Sequence, residues 1–127
     1  MDTHLRVARW SLDEFPLPGR LFVDLIERLY RRDAFFRGGL PVAGLRTGAA
    51  DLRLPLLTVA NPDSMVIPPG SVLPVHEAAP HPASRHLWYA GDRGVMVQHV
   101  GILVGRTAHR RLWPEILAWL AARWAEA

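Results

Sequence analysis

Cysteine is absent from the 127 residues, and so is lysine. Without cysteine there is no disulfide to staple the chain and no thiolate to hold a metal or attack a carbonyl. The fold must rest on a hydrophobic core, and the composition suits a cytoplasmic protein. Without lysine, all 15 basic residues are arginines, set against 12 acidic residues for a net charge of only +3. The arginines are scattered: Arg31-Arg32 and Arg110-Arg111 are the only adjacent pairs, and no basic run is interleaved with aromatics. That pattern reads as solvated helix faces rather than a nucleic-acid surface. No stretch offers 18 consecutive apolar residues, so a membrane-spanning helix is not expected, and the polar Met1 to Arg9 has no apolar core of a secretory signal. What remains is a chain that is half hydrophobic, enough for one domain with a core.

Taken in order, Trp10 to Pro18 reads as an irregular lead-in, with Pro18 suited to a first helical turn. Leu21, Phe22, Leu25, Ile26, Leu29 and Tyr30 then recur at helical spacing, while Asp24 with Arg28 and Glu27 with Arg31 form acid-before-base pairs four apart. Gly38-Gly39 is expected to end that helix, and Leu40 to Leu45 to form a short extended piece or turn. Leu54 to Ala60 is an almost unbroken apolar run, the mark of a strand buried on both faces in a parallel sheet. It stops at the polar turn Asn61-Pro62-Asp63-Ser64. Ser71 to Ala79 suggests a short helix interrupted by Pro74, and His86 to Tyr89 a second strand. With Pro114 suited to a first helical turn, Trp113, Leu117, Leu120 and Trp124 recur as a stripe expected to face the core of a final helix.

Two polar groups sit where chemistry is delivered in open α/β sheets, at the carboxyl ends of strands. Asp63 follows the first strand, although a residue in such a turn is commonly just a cap. His99 lies in Val97-Gln98-His99-Val100-Gly101, after the loop Gly91-Asp92-Arg93-Gly94 and before the tryptophan-rich helix. A lone histidine among apolar residues is commonly structural, so its order in the chain, strand, loop, His, helix, is what singles it out.

The residues Ala60 to Pro69, then Gln98-His99-Val100-Gly101, then Leu112-Trp113-Pro114-Glu115-Ile116-Leu117-Ala118-Trp119-Leu120, resemble the C-terminal half of the α/β-hydrolase superfamily. Within it the likeness is to poly(3-hydroxyalkanoate) synthases and their relatives, and Trp10-Ser11-Leu12-Asp13-Glu14-Phe15-Pro16 with the following helix also resembles a segment of those enzymes. The resemblance implies a single partial α/β domain over 1–127: a cap-like segment and helix over 1–50, then an acid-bearing strand, histidine loop and C-terminal helix over 51–127. The sheet would be incomplete, a few parallel strands with flanking helices. The family's order of nucleophile, acid, base implies His99 as general base and Asp63 as the acid that holds its tautomer. The expected substrate is a 3-hydroxyacyl thioester such as an acyl-CoA, with no cofactor. One departure concerns register: the family shows Asp, three residues, then Pro, whereas four residues separate Asp63 from Pro68, so counting back from Pro68 reaches Ser64.

A larger departure is the nucleophile. With no cysteine, and with Ser11, Ser64, Ser71 and Ser84 all outside a Gly-x-Ser-x-Gly context, no nucleophile elbow is present in these residues. Two parallel strands cannot satisfy their own edges or cover both faces. A separate N-terminal half or a second copy of the chain is therefore expected at the open sheet edge. The alternatives are a non-catalytic interaction or remnant protein, and a metal protein drawing on His76, His81, His86, His99 and His109, whose spacings fit no helical pair four apart.

Overall fold

Leu5, Arg9, Trp10 and Leu12 are already helical, so the lead-in expected over Trp10 to Pro18 is not irregular throughout; Pro18 then stands just outside α1 (Gly19–Asp24), which continues without a break as a wide π-turn segment over Leu25–Arg31. The computed structural model describes residues 5, 9–10, 12–13, 15–91 and 98–125, the side chains of Gln98 and His99 excepted. Both expected i,i+4 pairs form: Arg28 Nε to Asp24 Oδ1 at 3.0 Å and Arg31 to Glu27 at 2.8 Å. The helix ends well before Gly38-Gly39, contrary to expectation. Asp33 takes a left-handed φ of 47°, and the Ala34 N–H turns back to the Arg28 carbonyl at 2.8 Å. Aspartate tolerates that conformation better than most residues, so it can stop a helix without a glycine.

The expected turn at 40–45 is a β-hairpin. Strands β1 (Leu40–Val42) and β2 (Leu45–Thr47) pair antiparallel, with Pro41 opposite Arg46. Ala43 and Gly44 link them, both with positive φ, 48° and 82°. Those are the signs of a type I′ turn, whose twist matches that of the strands. Ala43 pays a left-handed penalty there that asparagine would reduce. Ala43→Asn is expected to stabilise the chain by about 0.5–1 kcal/mol, read as a higher urea midpoint; a lower midpoint would contradict the turn assignment. Gly48 passes so close to the backbone of Phe35 and Gly38 that an added Cβ would sit 2.5 Å from Gly38 Cα.

The apolar run yields a shorter strand than expected, β3 (Leu57–Ala60), because Pro55 cannot donate to a ladder. Helix α2 (Pro69–Ala78) follows, with Pro69 in its first turn. Pro74 does not interrupt it: the carbonyl it leaves unpaired, that of Gly70, belongs to an exposed residue that water can reach. Strand β4 (Arg85–Trp88) then lies parallel to β3, with Thr58 opposite His86 and Val59 opposite Leu87. Helix α3 (Gln98–Val104), a π-turn segment (Ala108–Leu112) and helix α4 (Trp113–Trp124) complete the chain. The result is mixed α/β, with one small parallel and one small antiparallel sheet.

Side-chain alternation along β3 and β4 sorts the core. Leu57, Val59, Leu87 and Tyr89 face the carboxyl-terminal helices, where Ala108, Leu112, Ile102, Trp113 and Ile116 meet them. Thr58 and His86 face the opposite side, where α2 places His76. The indole N–H groups of Trp113 and Trp119 donate to the carbonyls of Ile102 and Ala83, tying α4 to α3 and to the start of β4. Leu112 is 4 % exposed at the centre of this core. Leu112→Ala is expected to cost about 2–4 kcal/mol in urea unfolding; a change within experimental error would mean that the core is not built around it.

Of the stripe expected to face the core, only Trp113 does. Leu117, Leu120 and Trp124 are 56 %, 49 % and 87 % exposed, and the residues turned to the sheet are Leu112, Trp113, Ile116 and Trp119. Helix α4 is apolar on two faces, and only one is covered among the described residues. The first helix behaves alike, with Leu21, Phe22 and Tyr30 exposed.

Candidate active site

In a parallel pair both strands present their carboxyl ends at the same edge. The loops that leave β3 and β4 therefore begin side by side, and Asp63 stands three residues beyond Ala60. The β3 loop is held by two buried polar residues. The Asn61 side chain, 5 % exposed, accepts the Asp63 N–H at 2.8 Å, and the Ser64 N–H reaches the Asn61 carbonyl at 3.2 Å. Ser64, equally buried, accepts the Ile67 N–H on its hydroxyl at 3.1 Å. This Asx turn fixes the backbone at Asp63, which is exposed. Asn61 was signalled by the Asn-Pro pair that ends the apolar run, but its anchoring role needed the structure. Ser64, the alternative under the register count, spends its hydroxyl on the loop.

His99 is the second residue of α3, in its first turn. Its neighbours Val100 and Gly101 are buried. The imidazole of His99, and the Asp92 to Val97 part of the preceding loop, lie outside the described residues. Met65, Val66 and Ile67 follow Asp63 with 93 %, 69 % and 44 % exposure, so the edge that carries Asp63 also displays uncovered apolar side chains.

Among the other described histidines, only His76 and His86 approach each other, with ring centroids 6.0 Å apart. His76 Nδ1 pairs with the Thr58 hydroxyl at 2.8 Å, and His86 lies edge-on to Trp88 with ring centroids 4.5 Å apart. His81 Nδ1 accepts the Ala83 N–H at 3.1 Å within a turn, and His109 stacks on Trp113 at 6.0 Å. Among the described residues no group of three His, Asp or Glu side chains could hold a metal ion. No described helix is long and apolar enough to cross a membrane.

The chain is similar to several curated proteins named "Poly(3-hydroxyalkanoate) polymerase subunit PhaC". It is 22 % identical over 118 residues to that of Haloarcula marismortui, matching 93 % of this chain and 24 % of the relative. To that of Allochromatium vinosum it is 25 % identical over 119 residues, 94 % of this chain and 32 % of the relative. For Haloferax mediterranei the figures are 24 % identity, 93 % and 23 %. The likeness is to the C-terminal part of these proteins, and the chain spans about a quarter to a third of their length. No protein-family model matches the chain, and no solved structure matches it significantly.

Proposed function

We propose that this chain supplies the acid and base of a poly(3-hydroxyalkanoate) synthase-like acyltransferase with an α/β-hydrolase fold, acting on 3-hydroxyacyl thioesters. The observation that carries the reading is the likeness over more than nine-tenths of the chain to the C-terminal part of such polymerase subunits. The parallel β3–β4 pair supports it by opening the Asp63 loop and the segment leading to His99 at one sheet edge.

In the proposed reaction the nucleophile, a thiolate or alkoxide, comes from outside these residues. It attacks the thioester carbonyl, the carbon–sulfur bond breaks, and the acyl group is held covalently while the thiol leaves with a proton. His99 takes the proton from the nucleophile and returns it to the leaving sulfur. It then accepts a proton from the hydroxyl of a growing chain, or from water, as that oxygen attacks the acyl-enzyme; the bond between acyl group and nucleophile breaks, and the imidazolium returns the proton to the departing nucleophile. Asp63 holds the imidazole in the tautomer that leaves the reactive nitrogen free, and stabilises the imidazolium once formed.

The alternative reading is that the half-fold is kept for interaction alone. The two are separated by reading the DNA upstream of Met1, and the neighbouring genes, in all frames. A strand-elbow-helix segment with Gly-x-Cys-x-Gly or Gly-x-Ser-x-Gly is the result the catalytic reading expects. If no such segment exists, this chain has no nucleophile to serve.

A further inference from the structure

The end of the first helix and the hairpin enclose a pocket of about 370 Å³, lined by Arg28, Arg32 and Arg46 together with backbone and apolar atoms of Ala34, Gly39, Pro41, Gly44 and Leu45. No acidic residue lines it. Arg28 is held from outside by Asp24 at 3.0 Å, which neutralises one of the three charges. Arg32 and Arg46 have no ion pair or hydrogen bond among the described residues. Two exposed arginines with no ion pair among the described residues thus line one concavity, a concentration of positive charge that favours an anion there.

The fold aims these groups locally. The left-handed Asp33 ends the helix just after Arg32 and brings the hairpin across it. Arg46 sits opposite Pro41, another residue of the pocket, and its Nη1 lies 3.8 Å from where a Cβ on Gly39 would stand. A side chain at Gly39 would crowd the guanidinium.

From this geometry we infer that the Arg28–Arg32–Arg46 pocket binds a diphosphate-type anion. Two unpaired guanidinium forks match a ligand with at least two negative charges, because each fork can meet a phosphate oxygen pair bidentately. A cavity of this size also exceeds what a single orthophosphate fills. The same chemistry is offered by a soluble diphosphate, as in a nucleotide, and by a phospholipid headgroup at a bilayer surface. The inference is independent of the roles given to Asp63 and His99.

Calorimetric titration of the full chain at neutral pH with sodium pyrophosphate, ADP and anionic phosphatidylglycerol vesicles tests it. Arg32→Gln and Arg46→Gln are the probes, and Arg53→Gln, an exposed arginine outside the pocket, is the control; helix content of each is checked by circular dichroism. Pyrophosphate is expected to bind the parent chain and Arg53→Gln alike, and to bind each pocket variant at least about tenfold more weakly; orthophosphate is expected to bind more weakly than pyrophosphate. ADP binding with the same sensitivity assigns a soluble ligand, and vesicle binding alone assigns the headgroup. No saturable binding of any of the three by a folded parent chain, or equal losses in Arg53→Gln, would overturn the inference.

Discussion

In an enzyme assembled around this chain, His99→Ala is expected to lower turnover of a 3-hydroxyacyl thioester by about 10³-fold or more, since a missing base leaves only binding and oxyanion stabilisation. Asp63→Asn should act in the same direction through the imidazole, lowering kcat more than it changes KM. His86→Gln serves as the comparison: His86 faces α2 beneath Thr58 rather than the strand carboxyl ends, and its loss should leave kcat within about threefold of the parent. Steady-state thiol release at saturating substrate measures all three. Equal losses in the His99 and His86 variants would show that the effect is structural. An unaffected Asp63→Asn would move the acid elsewhere.

The second large effect lies on the outer face of α4. Leu117 and Leu120 are about half exposed, and the relatives are three to four times as long as this chain. Under the proposed function, that uncovered face is where a nucleophile-bearing part would meet this chain. Leu117→Asp combined with Leu120→Asp should cost the isolated chain no more than about 2 kcal/mol, less than Leu112→Ala, because each side chain is only about half buried in it. The same pair should weaken association with the nucleophile-bearing part at least 100-fold, about 2.7 kcal/mol, as expected when central apolar anchors become charged. Urea unfolding and a binding titration read the two quantities separately. A double variant that unfolds like Leu112→Ala would mean that the stripe is core after all, and one that binds normally would mean that the face is covered by something else.

How much of this was legible beforehand depends on whether the signal was local. The first helix, its two ion pairs, both parallel strands and the last helix were carried by periodicity and by the turn residues around them. Helix ends were less legible. The stop at Asp33 comes from a left-handed aspartate, a rarer device than the Gly38-Gly39 pair that follows it. The hairpin escaped notice because Ala43 precedes Gly44, where asparagine would have signalled the turn. On α4 the sequence shows two apolar faces but not which one this chain covers. That depends on the number of layers present, and two strands bring only one layer of helix to each side. Asp63 and His99 were placed by their order relative to strands. The Asn61 and Ser64 anchors that shape the Asp63 loop involve hydrogen bonds between residues two and three apart, which composition does not reveal.

The central claim is that this chain contributes a base to acyl transfer on 3-hydroxyacyl thioesters. It is tested most directly by following thiol release from a 3-hydroxyacyl-CoA with this chain, with a nucleophile-bearing amino-terminal part of a PhaC protein, and with the two mixed after co-elution has been verified. The account predicts release by the mixture, none by either component alone, and none when the chain carries His99→Ala. A co-eluting mixture that releases no thiol, or one that works equally well with His99→Ala, would contradict it.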